Sequence, residues 1–153
     1  MNTEKFEFLD PGKLTDNELE LKLVKKVPAN PAKNYFPMYE FEMRNTITGK
    51  KIGDINLRIG FNENIKYGGH VGYGVLEESR GNRYASRSLK LLFPLAKKHG
   101  INPLWVTCNP ENIASRKTCE LAGGKLVEIV DLPEYNEQYF KGERKKCRYR
   151  FDL

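Results

Sequence analysis

The sequence predicts an α/β (α+β) domain: a mixed, mostly antiparallel seven-stranded sheet flanked by helices. Three observations lead there. Apolar and polar residues alternate with period two through much of the first half of the chain. After residue 83 the period becomes that of a helix. A short apolar run, "LWVTC", then separates that helix from a second one.

The elements follow in order. "ELELKLVKKV" sets Leu19, Leu21 and Leu23 against charged neighbours, which marks a strand. "VPANPAKNYFP" holds three prolines in eleven residues, which excludes a long helix and gives a loop. "MYEFEMR" alternates Tyr39, Phe41 and Met43. After the turn "NTITGKK", "IGDINLRIG" alternates Ile55, Leu57 and Ile59, so these two strands form a hairpin. "FNENIKYGG" reads as a polar loop. "HVGYGVL" reads as a fourth strand with Val71, Tyr73 and Val75 on one face.

Ala85, Leu89, Leu92, Phe93 and Ala96 then share a helical face from Tyr84 to Lys98, and Gly100 ends it. Pro94 removes one hydrogen bond inside this helix and predicts a kink. "LWVTC" has the composition of a buried strand. Asn109 as N-cap and Pro110 at the first helical position start a helix that runs to Leu121, before Gly123 and Gly124. "KLVEIVD" and "KKCRYRF" close the chain as two strands. The strand–turn–helix–strand unit over residues 70–108 is a crossover, which makes its two strands parallel.

Length and composition fit one domain over residues 1–153. Hydrophobic content of 39% and charged content of 30% exclude a disordered chain. The apolar runs are far shorter than the roughly 20 residues of a membrane span. "MNTEKFEFLDPGK" is charged and has no apolar centre, so it is not read as a secretory signal. Cys108, Cys119 and Cys147 are odd in number, widely spaced and without a zinc or redox pattern. They read as reduced thiols in a cytoplasmic protein. The net charge of +6 favours anionic partners, and much of the excess lies in "KGERKKCRYR". Solubilising lysines give the same figure.

The segment "SRGNRYAS", Ser79 to Ser86, joins a strand to a helix N-terminus. Such a terminus presents unpaired N–H groups and partial positive charge, and so binds phosphate. Gly81 allows close approach of the backbone, and Arg80 and Arg83 add charge. A plain strand-to-helix turn containing a glycine gives the same local pattern.

The surroundings add to it. "GYGVLEESRGNRYASRSLKLLFPLAKKHG", followed by "WVTCNPENIASRKTCELAGG", resembles the GNAT superfamily of N-acetyltransferases. There R/Q-x-x-G-x-G/A follows a strand and opens a helix, and N-x-x-A/S-x-x-x-Y-x-x-x-G follows on a later helix. This sequence gives Arg80, Gly81, Asn82, Arg83, Tyr84 and Ala85 for the first pattern. It gives Asn112, Ser115, Cys119 and Gly123 for the second. The resemblance is good from about residue 70 to 130 and rests on strand order before that.

The resemblance implies that acetyl-CoA is bound as cosubstrate, with no metal. Backbone amides from Gly81 to Ser86 would hold the pyrophosphate. The strand edge at Tyr73, Gly74, Val75 and Leu76 would pair with the pantetheine arm. An N–H near Val75 would stabilise the oxyanion. Asn112 and Ser115 would face the cofactor, although Asn112 also suits a polar first helical turn. Arg83 stands where the family has a small residue. It fits with a negative φ and an outward side chain, and would add charge beside the phosphates.

The chemistry also needs a neutral amine and a proton for the departing thiolate. The family often takes that proton from a tyrosine at the position of Cys119. A thiol of ordinary pKa, roughly 8.5, gives little driving force, and a small buried cysteine filling the core explains the residue better. His70, at the start of the fourth strand, and Glu128, on the sixth, are the candidate bases. Tyr149 on the last strand is a further candidate acid. His99, at a helix end, suits the negative end of the dipole instead. Family members usually place helices between the first two strands as a wall of the acceptor site. "VPANPAKNYFP" is too short for them, so the wall falls to this loop, to "GFNENIKYGG" or to a partner subunit, which leaves a homodimer open.

Three functions remain. The first is N-acetylation of a small-molecule or protein amine by direct attack on acetyl-CoA. The second is a non-catalytic acyl-CoA-binding domain, motivated by Cys119 and the lack of an obvious base. The third is nucleic-acid binding through Lys146, Arg148 and Arg150, which alternate opposite Cys147, Tyr149 and Phe151. A charged sheet edge explains that pattern equally well, and no aromatic stacking platform accompanies it.

Overall fold

A computed structural model describes residues 6–153 of the chain. Residues 1–5, the start of the segment read as carrying no secretory signal, lie outside them. Alternation translates directly into strands. β1 (Leu14–Asp16), β2 (Leu19–Val27), β3 (Met38–Asn45), β4 (Lys51–Arg58) and β5 (Val71–Val75) form one antiparallel sheet in chain order. Leu19, Leu21, Tyr39, Phe41, Met43, Ile55, Leu57 and Val71 are buried on its inner face, at the period-two positions. Among the described residues there are eight strands rather than seven. The extra one, β1, has three residues, too few for an alternation to register.

α2 (Tyr84–Lys98) lays Leu89, Leu92, Leu95 and Ala96 onto that face. It runs through Pro94, which is exposed. The hydrogen bond lost there would have ended on the carbonyl of Lys90, on the exposed side of the helix. The remaining strands, β6 (Leu104–Cys108), β7 (Lys125–Asp131) and β8 (Lys145–Phe151), form a second antiparallel sheet in the order β6-β8-β7. α3 (Ile113–Leu121) covers one face of it, where the Arg116 Nε–H donates to the Tyr149 hydroxyl. α1 (Glu63–Gly68) covers the other, where the Arg148 Nε–H donates to the Lys66 carbonyl.

"FNENIKYGG" is therefore not simply a loop. Asn62 caps α1 by accepting the Ile65 N–H at 3.1 Å, and Ile65 and Tyr67 are buried. Two apolar residues in six give too little periodicity to announce a helix. α4 (Glu137–Phe140), between β7 and β8, is shorter still. α3 starts later than expected. Asn112, not Asn109, is its N-cap, accepting the Ser115 N–H at 3.1 Å.

The crossover through α2 brings β5 beside β6, but the two strands form no ladder. They meet only at their starts. The His70 N–H donates to the Trp105 carbonyl at 2.8 Å, and the Trp105 N–H donates to His70 Nδ1 at 2.9 Å. Beyond that contact the strands part, and a wedge separates the two sheets. Gly69 sits at its apex with φ +76°, where a Cβ would lie 3.0 Å from the Thr107 nitrogen. Only glycine meets both demands.

Candidate functional site

The wedge contains a cavity of about 250 Å³, lined by Gly72 and Tyr73 of β5, Cys108 of β6, and Asn112 and Ser115 around the start of α3. Its β5 wall has an open edge. The Leu76 N–H donates to Ile52 and the Arg58 N–H donates to His70, so even-numbered residues of β5 bond toward β4. In an antiparallel ladder the alternate residues face away. The N–H and carbonyl groups of Tyr73 and Val75 thus point into the wedge. Gly74 and Leu76, expected to share that role, turn theirs toward β4. Arg80 Nε–H takes the Val75 carbonyl at 3.2 Å, which leaves the Val75 N–H as an open donor.

Past β5, a 3-10 turn (Glu77–Ser79) leads into "RGNRYAS". None of the amides from Gly81 to Ser86 donates to another described residue, and no side chain caps α2. Gly81 has φ +94°. Arg83 contradicts the expected negative φ: it is the N-cap in the left-handed region, at φ +58° and ψ 28°. The loop must reverse its curvature to enter the helix, and here a non-glycine residue bears that strain, about 1 kcal/mol. Its side chain is exposed.

The other side chains of the segment hold the turn in place rather than facing the wedge. Asn82 Nδ2–H donates to the Ser79 carbonyl at 3.2 Å, and Ser86 Oγ–H to the Arg83 carbonyl at 3.1 Å. Tyr84 is buried and its hydroxyl donates to Glu18 at 2.8 Å. Ala85 is half-buried. Arg87 pairs with both Asp16 and Glu18 at 2.6 Å, tying α2 to the β1–β2 hairpin. Arg87 and Tyr84 hold the Glu18 carboxyl at about 2, well below the usual range.

The expected catalytic residues are placed less favourably. His70 is buried, with Nδ1 accepting from Trp105 and Nε2 donating to the Gly60 carbonyl at 2.8 Å. Burial pushes it down to about 4, and neither nitrogen is free to take a proton. It pins the wedge shut at the apex and is not a base. Glu128 is exposed on β7 and paired with Arg148, away from the residues that line the wedge. Tyr149 is buried and held by Arg116. Cys119 is fully buried behind Tyr73 and Ser115, its thiol raised to about 12 by burial.

Tyr73 reaches what Cys119 does not. Its hydroxyl lies 2.7 Å from Ser115 Oγ and 3.8 Å from Cys119 Sγ. Burial raises its pKa, so the phenol keeps its proton. The sequence had placed Tyr73 at the wedge for its backbone alone.

A second group went unread. Glu143 also lines the wedge. It accepts from Asn109 Nδ2–H and pairs with nearly buried Lys146, both at 3.0 Å. Burial works to raise the Glu143 carboxyl, but Asn109 and Lys146 outweigh it and keep it below the usual range. Asn109 Oδ1 is buried without a partner in the structure. Glu143 is the one acid in "KGERKKCRYR", and reading that run as bulk charge hid it. The basic face expected on β8 is likewise not free: Lys146 and Arg148 are buried and paired with Glu143 and Glu128. Arg148 lies 4.1 Å over the Trp105 ring.

A larger cavity, about 1020 Å³, adjoins the wedge. Its walls come from residues of "VPANPAKNYFP", from α1 and from the segment before and within α4. Gly68 and Gln138 line both cavities, so the two are neighbours. Both loops named as alternative walls line this cavity, together with a third segment. Among the described residues no helix is long and apolar enough to cross a membrane.

A family model for the acetyltransferase (GNAT) domain matches residues 2–125. No curated protein matches the chain in sequence. Among solved structures, one similar fold is a Vibrio cholerae protein assigned as a ribosomal-protein-serine acetyltransferase. It has a TM-score of 0.67 and 14% identity over 95% of this chain and 100% of that one. RimL, an α-N-acetyltransferase of a ribosomal protein solved with coenzyme A, gives a TM-score of 0.65 at 14% identity over 92% of this chain and 98% of its own. A ribosomal-protein-alanine acetyltransferase from Vibrio fischeri gives 0.66 at 14% identity over 92% and 96%. At these identities the likeness is one of fold, while the match to the family model spans most of the chain. The chain belongs to the GNAT family of acetyltransferases, and acetyl-CoA is its acetyl donor.

Proposed function

We propose that the wedge between β5 and β6 is where the acetyl group passes from acetyl-CoA to a primary amine entering from the larger cavity. The run of unclaimed amides from Gly81 to Ser86, in line with the open edge of β5, carries this reading. Amides at a helix start suit a pyrophosphate, and an open edge suits the amide-bearing pantetheine arm. An arm paired along that edge would bring the thioester near the Val75 N–H, a main-chain donor for the oxyanion.

The amine nitrogen attacks the thioester carbonyl carbon, and the C–S bond breaks as the tetrahedral intermediate collapses. The leaving thiolate takes a proton from the Tyr73 hydroxyl, which Ser115 orients. Burial keeps the phenol protonated until the thiolate appears, and the phenolate left behind regains a proton from the solvent that takes up the one the amine releases. Glu143, held ionised by Lys146 and Asn109, gives the incoming ammonium an anionic partner while its proton leaves through solvent. Only the neutral amine attacks, so kcat/KM should rise with pH up to the pKa of the acceptor, about 8 for an α-amine and 10.4 for a lysine.

The fold relatives act on ribosomal proteins. A cavity of about 1020 Å³ is large enough for a peptide N-terminus and is not confined to a small amine. The test is thiol release from acetyl-CoA across N-terminal peptides and small amines, beside a thermal-shift titration with acetyl-CoA. Stabilisation with turnover supports the reading. Tight binding without turnover on any amine would point to a non-catalytic acyl-CoA-binding domain. No stabilisation at millimolar ligand would remove the cofactor site, because a specific ligand must stabilise the fold by mass action.

A further inference from the structure

Arg58, the last residue of β4, forms part of the wall of the larger cavity. It is half-buried, and burial lowers its pKa. Its Nη1 donates to the carbonyls of Gly68 and Gly69, at 3.3 and 2.9 Å. Among the described residues no hydrogen bond uses its Nε or Nη2, and no carboxylate pairs with it. Arg44, Arg87 and Arg148, by contrast, each hold an acid. The unused N–H groups of Arg58 are not buried, so the fork is open to an incoming anion. The matching group is planar and anionic, since the fork binds a carboxylate with two parallel bonds.

The position sharpens this. Gly68, whose carbonyl Arg58 holds, is a residue common to both cavities. An anion on Arg58 therefore lies beside the wall that the two cavities share. Lys33 adds positive charge to the same cavity. Its acids are Glu63 and Glu137, and Glu63 is taken up by the Tyr135 hydroxyl.

We propose that the acceptor carries a carboxylate close to its amine, either the α-carboxylate of an amino acid or an acidic side chain at a peptide N-terminus, and that Arg58 reads it. The proposal rests on the larger cavity being the acceptor site.

Two matched pairs of acceptors test it. One is phenylalanine against phenylalaninamide. The other is the amidated tripeptide Ser-Asp-Gly against Ser-Asn-Gly. The acid of at least one pair should be preferred about tenfold or more in kcat/KM, the scale of a hydrogen bond between charged groups. In Arg58→Gln the acid-to-amide ratio should collapse toward one. Arg58→Lys, which keeps the charge but not the fork, should fall between them. Binding of acetyl-CoA by thermal shift checks that each variant is folded. Equal use of acid and amide by the parent overturns the role of Arg58 and leaves the acceptor cavity standing. So does a ratio that survives Arg58→Gln. Turnover of all four amines unchanged in Ala29→Trp, which fills the cavity wall, would instead remove the cavity as the acceptor site. No turnover of any of the four, with acetyl-CoA bound, overturns the proposed class.

Discussion

The proposed donor side of the wedge is made of main chain, and the proposed acceptor side is made of side chains. On the donor side, amides of Gly81 to Ser86 and the edge of β5 present donors that any residue except proline supplies. On the acceptor side, Asn109, Arg58 and the Glu143–Lys146 pair come from three separate segments and meet only in the fold. A site of main chain tolerates substitution if its dihedral angles survive. A site of side chains does not.

That difference can be broken or sharpened at several points. The largest expected effect concerns the hinge between the two sides. His70 ordinarily titrates near 6.5 and here near 4, so an unfolding chain takes up a proton that the folded one refuses. The stability it supplies is full above pH 6.5, is lost as pH falls toward 4, and is flat below. The loss is about 3 kcal/mol, at 1.36 kcal/mol per pH unit of difference. Urea unfolding of the parent and of His70→Gln at pH 7 and pH 4.5 reads it: the variant should lack this component of the slope. An equal pH dependence in both would show that His70 does not hold the apex.

Glu143→Gln comes next. It should lower kcat/KM for the acceptor by about tenfold or more, the scale of a charged hydrogen bond, and leave the Kd for acetyl-CoA nearly unchanged. A loss of acetyl-CoA binding instead would move Glu143 to the donor side. The smallest effect is Arg83→Gly. Glycine carries no αL penalty, so the variant should gain up to about 1 kcal/mol in chemical denaturation. Its acetyl-CoA affinity should change little, because the cradle is amide. A large gain in affinity would mean that the arginine side chain obstructs the phosphates.

The same contrast explains what the sequence showed. Strands β2 to β5 and the helix α2 were legible because a buried face repeats its period along each of them, as Leu19, Leu21 and Tyr39, Phe41, Met43 do. The donor side was legible because a glycine-bearing turn between a strand and a helix is a local pattern. α1 and α4 were not, being six and four residues long. Neither was the Glu143–Lys146–Asn109 group, since 34 residues separate Asn109 from Glu143. His70 and Glu128 were plausible bases by residue type. The structure gives both of them partners that type alone does not reveal: backbone groups for one, Arg148 for the other. Cys119 and Tyr73 show the point at one contact. The helix position holds a residue too short to reach the wedge, and the strand facing it supplies the hydroxyl.

Steady-state thiol release by Tyr73→Phe and Cys119→Ala, measured side by side, tests that reassignment. Tyr73→Phe should lower kcat by about 100-fold or more, the usual weight of a positioned proton donor, with the KM for acetyl-CoA within a few-fold of the parent. Cys119→Ala should keep most of the kcat and lose only stability. A Tyr73→Phe enzyme as fast as the parent, with Cys119→Ala the slow one, would contradict the account and return the proton to the helix.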